Sequence, residues 1–190
     1  MKGVDMKSLR SYVSVVVLSG LSVACSNLNT QPMTPAQKTV VPSDSSISRE
    51  LNAKLNNSTN FPDSNIYADV YKGTVLLTGQ VKNQDLVNYM LDVTRSYPGV
   101  SRIYNYTEIR LPVSFSVRSS DSVITSSIKA QLFGNRDFPS KNVSVTTTNG
   151  IVYLMGDVTP EQGETAANKA ALIGNVRKVI TLFDYTSQPK

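Results

Sequence analysis

The sequence predicts an α+β protein built from two tandem copies of one small module, each running helix, strand, strand, helix, strand. Three observations predict it. Sliding the chain against itself by 77 positions aligns residues 43–95 with 120–172 without a gap, and 14 of the 53 aligned positions are identical. Within each copy, apolar residues first recur every four positions and then alternate, so a helical period gives way to a strand period. The repeat is too long for a solenoid unit and suits a duplicated small domain.

Each copy opens on Ser-Asp-Ser, at residues 43–45 and 120–122, a helix N-cap signal. Ile47, Leu51 and Leu55, or Ile124, Ile128 and Leu132, follow at four-residue spacing and predict a helix with one buried stripe. Phe61-Pro62 or Phe138-Pro139 breaks that helix. A short strand over 65–70 or 142–147 comes next, and Lys72-Gly73 or Asn149-Gly150 turns the chain, Asn-Gly being the stronger hairpin signal. In the second strand Val75, Leu77, Gly79 and Val81 share one face, matched by Val152, Leu154, Gly156 and Val158; this is the core face. The glycine is read as the place where a helix packs close to the sheet. A second helix carries Leu86, Met90, Val93 and Tyr97 in copy one, and Thr159-Pro160 opens an alanine-rich version in copy two, whose small residues let helix and sheet approach closely. Pro98-Gly99 or Gly174-Asn175 ends it, and a last strand begins at Val100 or Val176, where the offset becomes 76.

Ahead of the repeat, Lys2, Lys7 and Arg10 precede a mostly apolar stretch at 11–24, too short to span a bilayer comfortably and read as a signal peptide over residues 1–24. The sequence Leu21-Ser22-Val23-Ala24-Cys25 resembles the lipobox of bacterial lipoproteins, in which the cysteine sulfur takes a diacylglycerol and becomes the mature N-terminus. Its leucine stands four residues before Cys25 where the usual pattern has three; the alternative is an ordinary signal peptide with an incidental cysteine. By the sorting pattern of such lipoproteins, Ser26 implies transfer to the outer membrane. Residues 25–42 then form the lipidated cysteine and a polar, proline-containing tether. Several acyl chains on one residue anchor durably where one chain is marginal.

The element order, the Gly-x-Val-x-Leu-x-Gly-x-Val strand at 73–81 and 150–158, and Asn175-Val176-Arg177-Lys178-Val179 before the last strand resemble the BON domain. Two copies behind a lipobox resemble the dual-BON outer-membrane lipoproteins of the DolP kind. The resemblance places one module at 43–110, a linker at 111–118 and a second module at 119–186. It implies a three-stranded mixed sheet with two helices on one face in each copy, a periplasmic role in envelope integrity, and contact of the second module with anionic phospholipid. Val123 stands where the resemblance would place a tryptophan.

Copy one serves as an internal control for copy two. At about 100° per residue, Val123, Ala130 and Phe133 fall opposite the Ile124, Ile128, Leu132 stripe, where copy one has Ser46, Ala53 and Asn56. Lys129, Arg136 and Lys141 replace Asn52, Thr59 and Ser64, while Glu50 and Asp63 become Ser127 and Ser140. Residues 43–110 hold seven basic and seven acidic groups, whereas residues 118–190 hold eight and six. An apolar ridge bordered by cations suits anionic headgroups. The ridge and its cations are therefore the candidate lipid-binding residues; the alternative is a protein-interaction or structural module that uses the same ridge against another envelope protein or against the sister copy.

Other classes are poorly served. Beyond residue 25 there are 16 basic and 13 acidic residues, too mild an excess for a phosphate-binding nucleic-acid protein. With no His and one Cys, a His-based triad, a Cys/His zinc site and an intramolecular disulfide are ruled out. No cofactor or metal motif is present. The serines of 114–127 read as linker and helix cap, and Asp157, Glu161 and Glu164 as strand-end and first-turn acids. The chain is not expected to be an enzyme.

Overall fold

The computed structural model describes residues 41–134 and 138–187. The expected signal segment, Cys25, the expected tether up to residue 40, and Arg136 lie outside the described residues.

Copy one begins with α1 (Asp44–Leu55), whose N-cap Ser43 accepts a hydrogen bond from Ser46 N. Ile47, Leu51 and Leu55 form its buried stripe. Strands β1 (Asn65–Tyr71) and β2 (Thr74–Val81) make an antiparallel hairpin. Its two turn residues, Lys72 and Gly73, both have positive φ, the backbone that lets a two-residue loop follow the twist of the strands. Asn83 caps α2 (Gln84–Arg95) by accepting from Leu86 N, and β3 (Arg102–Ile109) returns parallel to β2. Copy two repeats the order with α3 (Phe115–Phe133), β4 (Val143–Thr148), β5 (Ile151–Val158), α4 (Pro160–Ala171) and β6 (Lys178–Tyr185). Thr159 and Gln162 close a capping box at the start of α4. Each copy is thus a three-stranded mixed sheet with its hairpin's second strand in the centre, and both its helices cover one face.

The predicted core faces are the buried ones: Val75, Leu77 and Val81 lie with the α1 stripe, and Val152, Leu154 and Val158 lie with that of α3. Gly163, Ala166 and Ala170 supply the close approach of α4; a Cβ on Gly163 would come within 2.9 Å of the Tyr185 ring on β6.

Four expectations need correction. Gly79 and Gly156 do not make room for a helix. A Cβ on either would fall on backbone at the start of the neighbouring strand, at the carbonyl of Asn65 in β1 or of Asn142 just before β4, and Gly79 also has φ +108°, so the constraint lies within the sheet. In α2 the buried residues are Val87, Met90, Val93 and Thr94, with Leu86 and Tyr97 only partly covered. The last strands start at Arg102 and Lys178, two residues later than expected, because the chain is still turning: Val100 N and Val176 N bond back to Tyr97 O and Ile173 O.

The fourth correction concerns α3. It begins at Phe115, six residues before Asp121, the counterpart of Asp44, so residues 115–118 are helix and Ser120 is not its N-cap. The shared Ser-Asp-Ser has another reason. Asp44 accepts from Lys72 N and Gly73 N at 2.6 and 3.0 Å, and Asp121 accepts from Asn149 N and Gly150 N at 2.8 Å each. In both copies one aspartate on the first helix ties down the hairpin turn by satisfying its two amides.

The second face of each sheet is buried as well, against the other. Leu76, Tyr153 and Met155 form an apolar cluster with Tyr71, Tyr104, Ile151, Ile180 and Leu182 packed around it. Thr148 Oγ1 donates to Thr78 Oγ1 at 2.9 Å, Ser144 and Thr146 donate to Asp69, and Tyr106 packs on Tyr153 with ring centroids 5.2 Å apart. Lys72 pairs with Asp157 and Arg102 with Asp184 at the rim. Burial, reinforced by Glu108, pushes the Tyr153 hydroxyl up to about 12. The sister modules therefore meet sheet to sheet, which leaves their helical layers outward.

Candidate lipid-facing surface

The first helix of each copy packs over the edge strand of its own sheet, and the two copies treat that edge differently. In copy one, Asn52 donates to Ala68 O at 2.7 Å and accepts from Ala68 N at 3.0 Å. One turn on, Asn56 donates to Ile66 O at 2.6 Å and accepts from Ile66 N at 3.1 Å. Ser48 adds a bond to Ala68 O. Two side-chain amides thus stand in for a fourth strand along β1. Copy two has Lys129 and Phe133 in place of these asparagines. Its helix meets the edge strand through a Thr125–Thr147 hydroxyl bond of 2.8 Å. Neither Lys129 nor Phe133 can reproduce the paired donor and acceptor of an amide, so that flank of α3 is released from edge capping.

The stripe of Ile124, Ile128 and Leu132 is buried, and on the other side Val123 is 64% exposed and Phe133 42%. Ala130 and Lys129 are exposed beside them, and Lys141 is exposed in the short 3-10 turn Ser140–Asn142 that follows. Phe133 is the more covered of the two apolar residues because it occupies the Asn56 position, on the flank towards β4. The structure therefore brings Val123, Lys129, Ala130 and Phe133 onto the outward side of one helix, places Lys141 just beyond it, and leaves them uncovered by the sister module.

Sequence reasoning missed the other end of this helix. Phe115 is 76% exposed and Leu111, before it, 68%. Phe115 and Phe133 are 18 residues apart, five full turns, and so share one azimuth. The only acid of α3, Asp121, is buried and engaged by the hairpin turn, so the exposed charge of the helix is the cation Lys129, with Arg118 half-buried on its first turn.

Elsewhere, a cavity of about 300 Å³ lies beside α3, lined chiefly by hydroxyls of Ser122, Thr125, Ser126 and Thr146 with Arg118 and Asp121. Those hydroxyls donate to Arg118 O, Thr147 Oγ1, Ser122 O and Asp69, and the one carboxylate among these acceptors, Asp69, is shared between Thr146 and Ser144 at the sheet interface. Among the described residues no group of three or more His, Cys, Asp or Glu could hold a metal ion, and no helix is long and apolar enough to cross a membrane.

The comparisons with known proteins agree with this architecture. The outer membrane lipoprotein DolP of Haemophilus influenzae is 35% identical over 123 residues, 65% of this chain and 64% of that protein. The 21 kDa hemolysin of Actinobacillus pleuropneumoniae is 32% identical over 65% of this chain and 63% of its own length. The osmotically inducible protein Y of Escherichia coli is 30% identical over 72% and 69%. The matched part spans just under two thirds of the first two relatives. The BON domain model matches residues 43–110 and again 120–187. With that match made twice and covering most of its length, the chain belongs to the BON-domain family.

Proposed function

We propose that the second BON module rests on an anionic phospholipid membrane through the outward side of α3, in a protein held to the outer membrane by lipidated Cys25. It faces the periplasm and supports envelope integrity as a binding module without catalytic chemistry. The observation that carries this reading is the asymmetry between two copies of one fold. Copy one ends the outward flank of its first helix in amides bound to its own sheet, whereas copy two presents Val123 and Phe133 to solvent beside Lys129. Exposed apolar groups flanked by cations are what an interfacial helix needs: the cations draw it to anionic headgroups and the apolar groups hold it there. The name of the Haemophilus relative, an outer membrane lipoprotein, supports the location, as does the lipobox-like sequence before Cys25.

The test is liposome co-sedimentation of the full chain carrying Cys25→Ser, so that no acyl anchor contributes. Val123→Ser with Phe133→Asn, the residues copy one has, should weaken binding to anionic vesicles severalfold or more. Burying a large apolar side chain is worth about 1.5 to 3 kcal/mol, less when insertion is shallow. Lys129→Glu should weaken binding to anionic but not neutral vesicles, and less so as salt rises. Parent-like binding by the folded double variant would remove the membrane reading and leave the ridge as a surface for another envelope protein.

A further inference from the structure

The six-residue N-terminal extension of α3 has no counterpart in copy one, where the chain enters α1 at Asp44. It is a fixed part of the molecule. Val113 is buried and its N–H donates to Oε1 of the buried Gln80 at 3.3 Å, which seats the linker on the first module. Arg118 donates to Val113 O at 2.7 Å and its guanidinium lies 5.8 Å from the centre of the Phe115 ring, which ties the first turn of α3 to that linker. With Val113 turned inward, its neighbours Leu111 and Phe115 are held outward, 68% and 76% exposed.

Phe115 and Phe133 stand at the two ends of one straight face, about 27 Å apart at 1.5 Å per residue. Between them the same azimuth carries small residues, Ser119, Ser126 and Ala130. An aromatic group at each end, small side chains between, and cations without acids alongside describe a helix that lies flat on a negatively charged surface. A single protruding tip would need only one of the two phenylalanines.

We propose that α3 contacts the anionic bilayer at both ends, with Phe115 and Leu111 on the inter-module linker forming a second anchor beside the Val123–Phe133 ridge. The proposal rests on the membrane reading of that ridge and extends it to residues contributed by the junction of the two modules. Because Val113 fastens the junction to module one, this anchor makes the first module part of the docked unit and sets its height above the membrane.

The chain has no tryptophan, so Phe115→Trp and Phe133→Trp each create a single local reporter. In the full chain with Cys25→Ser, vesicles of phosphatidylglycerol should move the emission of both variants to shorter wavelength, and brominated acyl chains should quench both. Leu111→Asn with Phe115→Ser should lower vesicle affinity about tenfold, a 1.4 kcal/mol effect. A response from Phe133→Trp alone would overturn the second anchor and leave the ridge reading standing. A response from Phe115→Trp alone would overturn the two-ended contact, and silence from both would remove the ridge reading and this proposal together. A shift that grows with protein concentration in vesicle-free solution would assign the face to a second copy of the chain and overturn the proposal.

Discussion

The amide cap on β1 makes a quantitative test of how the first module is held together. Asn52 and Asn56 together make four hydrogen bonds to Ala68 and Ile66, and those two residues are 3% and 0% exposed. Water therefore cannot replace the lost partners without the helix lifting from the strand. Asn56→Ala would leave both the N–H and the C=O of Ile66 unpaired, and an unsatisfied buried group costs about 1 to 3 kcal/mol. Asn52→Ala orphans chiefly the Ala68 N–H, since Ser48 Oγ still donates to Ala68 O. The expected loss is about 2 to 3 kcal/mol for Asn56→Ala and about 1 to 2 kcal/mol for Asn52→Ala, a large part of an ordinary domain's 5 to 15 kcal/mol. Asn56→Asp should be as damaging as Asn56→Ala, because it keeps an acceptor for Ile66 N but sets a carboxylate against Ile66 O. Urea unfolding followed by circular dichroism reads all three. Losses below about 0.5 kcal/mol in both alanine variants would refute the reasoning, since the edge would then be satisfied without the amides. The same logic predicts that Phe133→Asn leaves the second module at least as stable as before, because an amide at that position can reach the edge of β4.

Three further predictions concern the core, the sheet interface and the anchor. Leu77→Asp and Leu154→Asp, each placing a charge in a fully buried site, should unfold the affected module and abolish its cooperative transition. Tyr153 has a folded value of about 12 against an ordinary 10, so its stabilising effect is complete below pH 10 and fades as pH rises towards 12. Tyr153→Phe should therefore flatten the fall in unfolding free energy between those pH values, and an identical fall in the variant would contradict the buried, neutral phenol. Cys25→Ser should abolish acyl labelling and leave the chain unprocessed or released in soluble form, with the fold of residues 43–187 unchanged; persistent labelling would end the lipoprotein proposal.

What could be read from the sequence was what depends on local period. Helix stripes, strand faces and hairpin turns repeat within a copy, and the second copy confirms each one at the same spacing. The glycine of the central strand was visible but its reason was not, because the atom it avoids, a carbonyl on the adjacent strand, is brought there by register. The start of α3 was hidden by a real signal with a different cause. Ser-Asp-Ser reads as a cap, yet in both copies its aspartate serves the hairpin turn, and only in copy one does the helix also begin there. Missing that boundary hid Phe115, which looked like linker. The ridge residues stood out in the sequence because copy one supplied a polar reference, but the role of Asn52 and Asn56 could not be read, since their bonds cross from helix to strand.

The sheet interface limits where one module can change without a matching change in the other. Leu76 and Thr78 on one side and Tyr153 and Met155 on the other are buried where the sheets face each other, so a change on either sheet must be matched on its partner. The inner faces are equally constrained by the helix stripes. What remains free to vary in each module is the outward side of its helical layer. Within that layer α1 is committed to β1 through Asn52 and Asn56, whereas α3, lengthened by six residues and relieved of those amides, is not. A duplicated fold that docks through its sheets can thus keep one copy as support and change one helix face of the other without disturbing either core. The exposed phenylalanines at the two ends of α3 lie on that face, and their burial against a membrane would cost the packing of neither module.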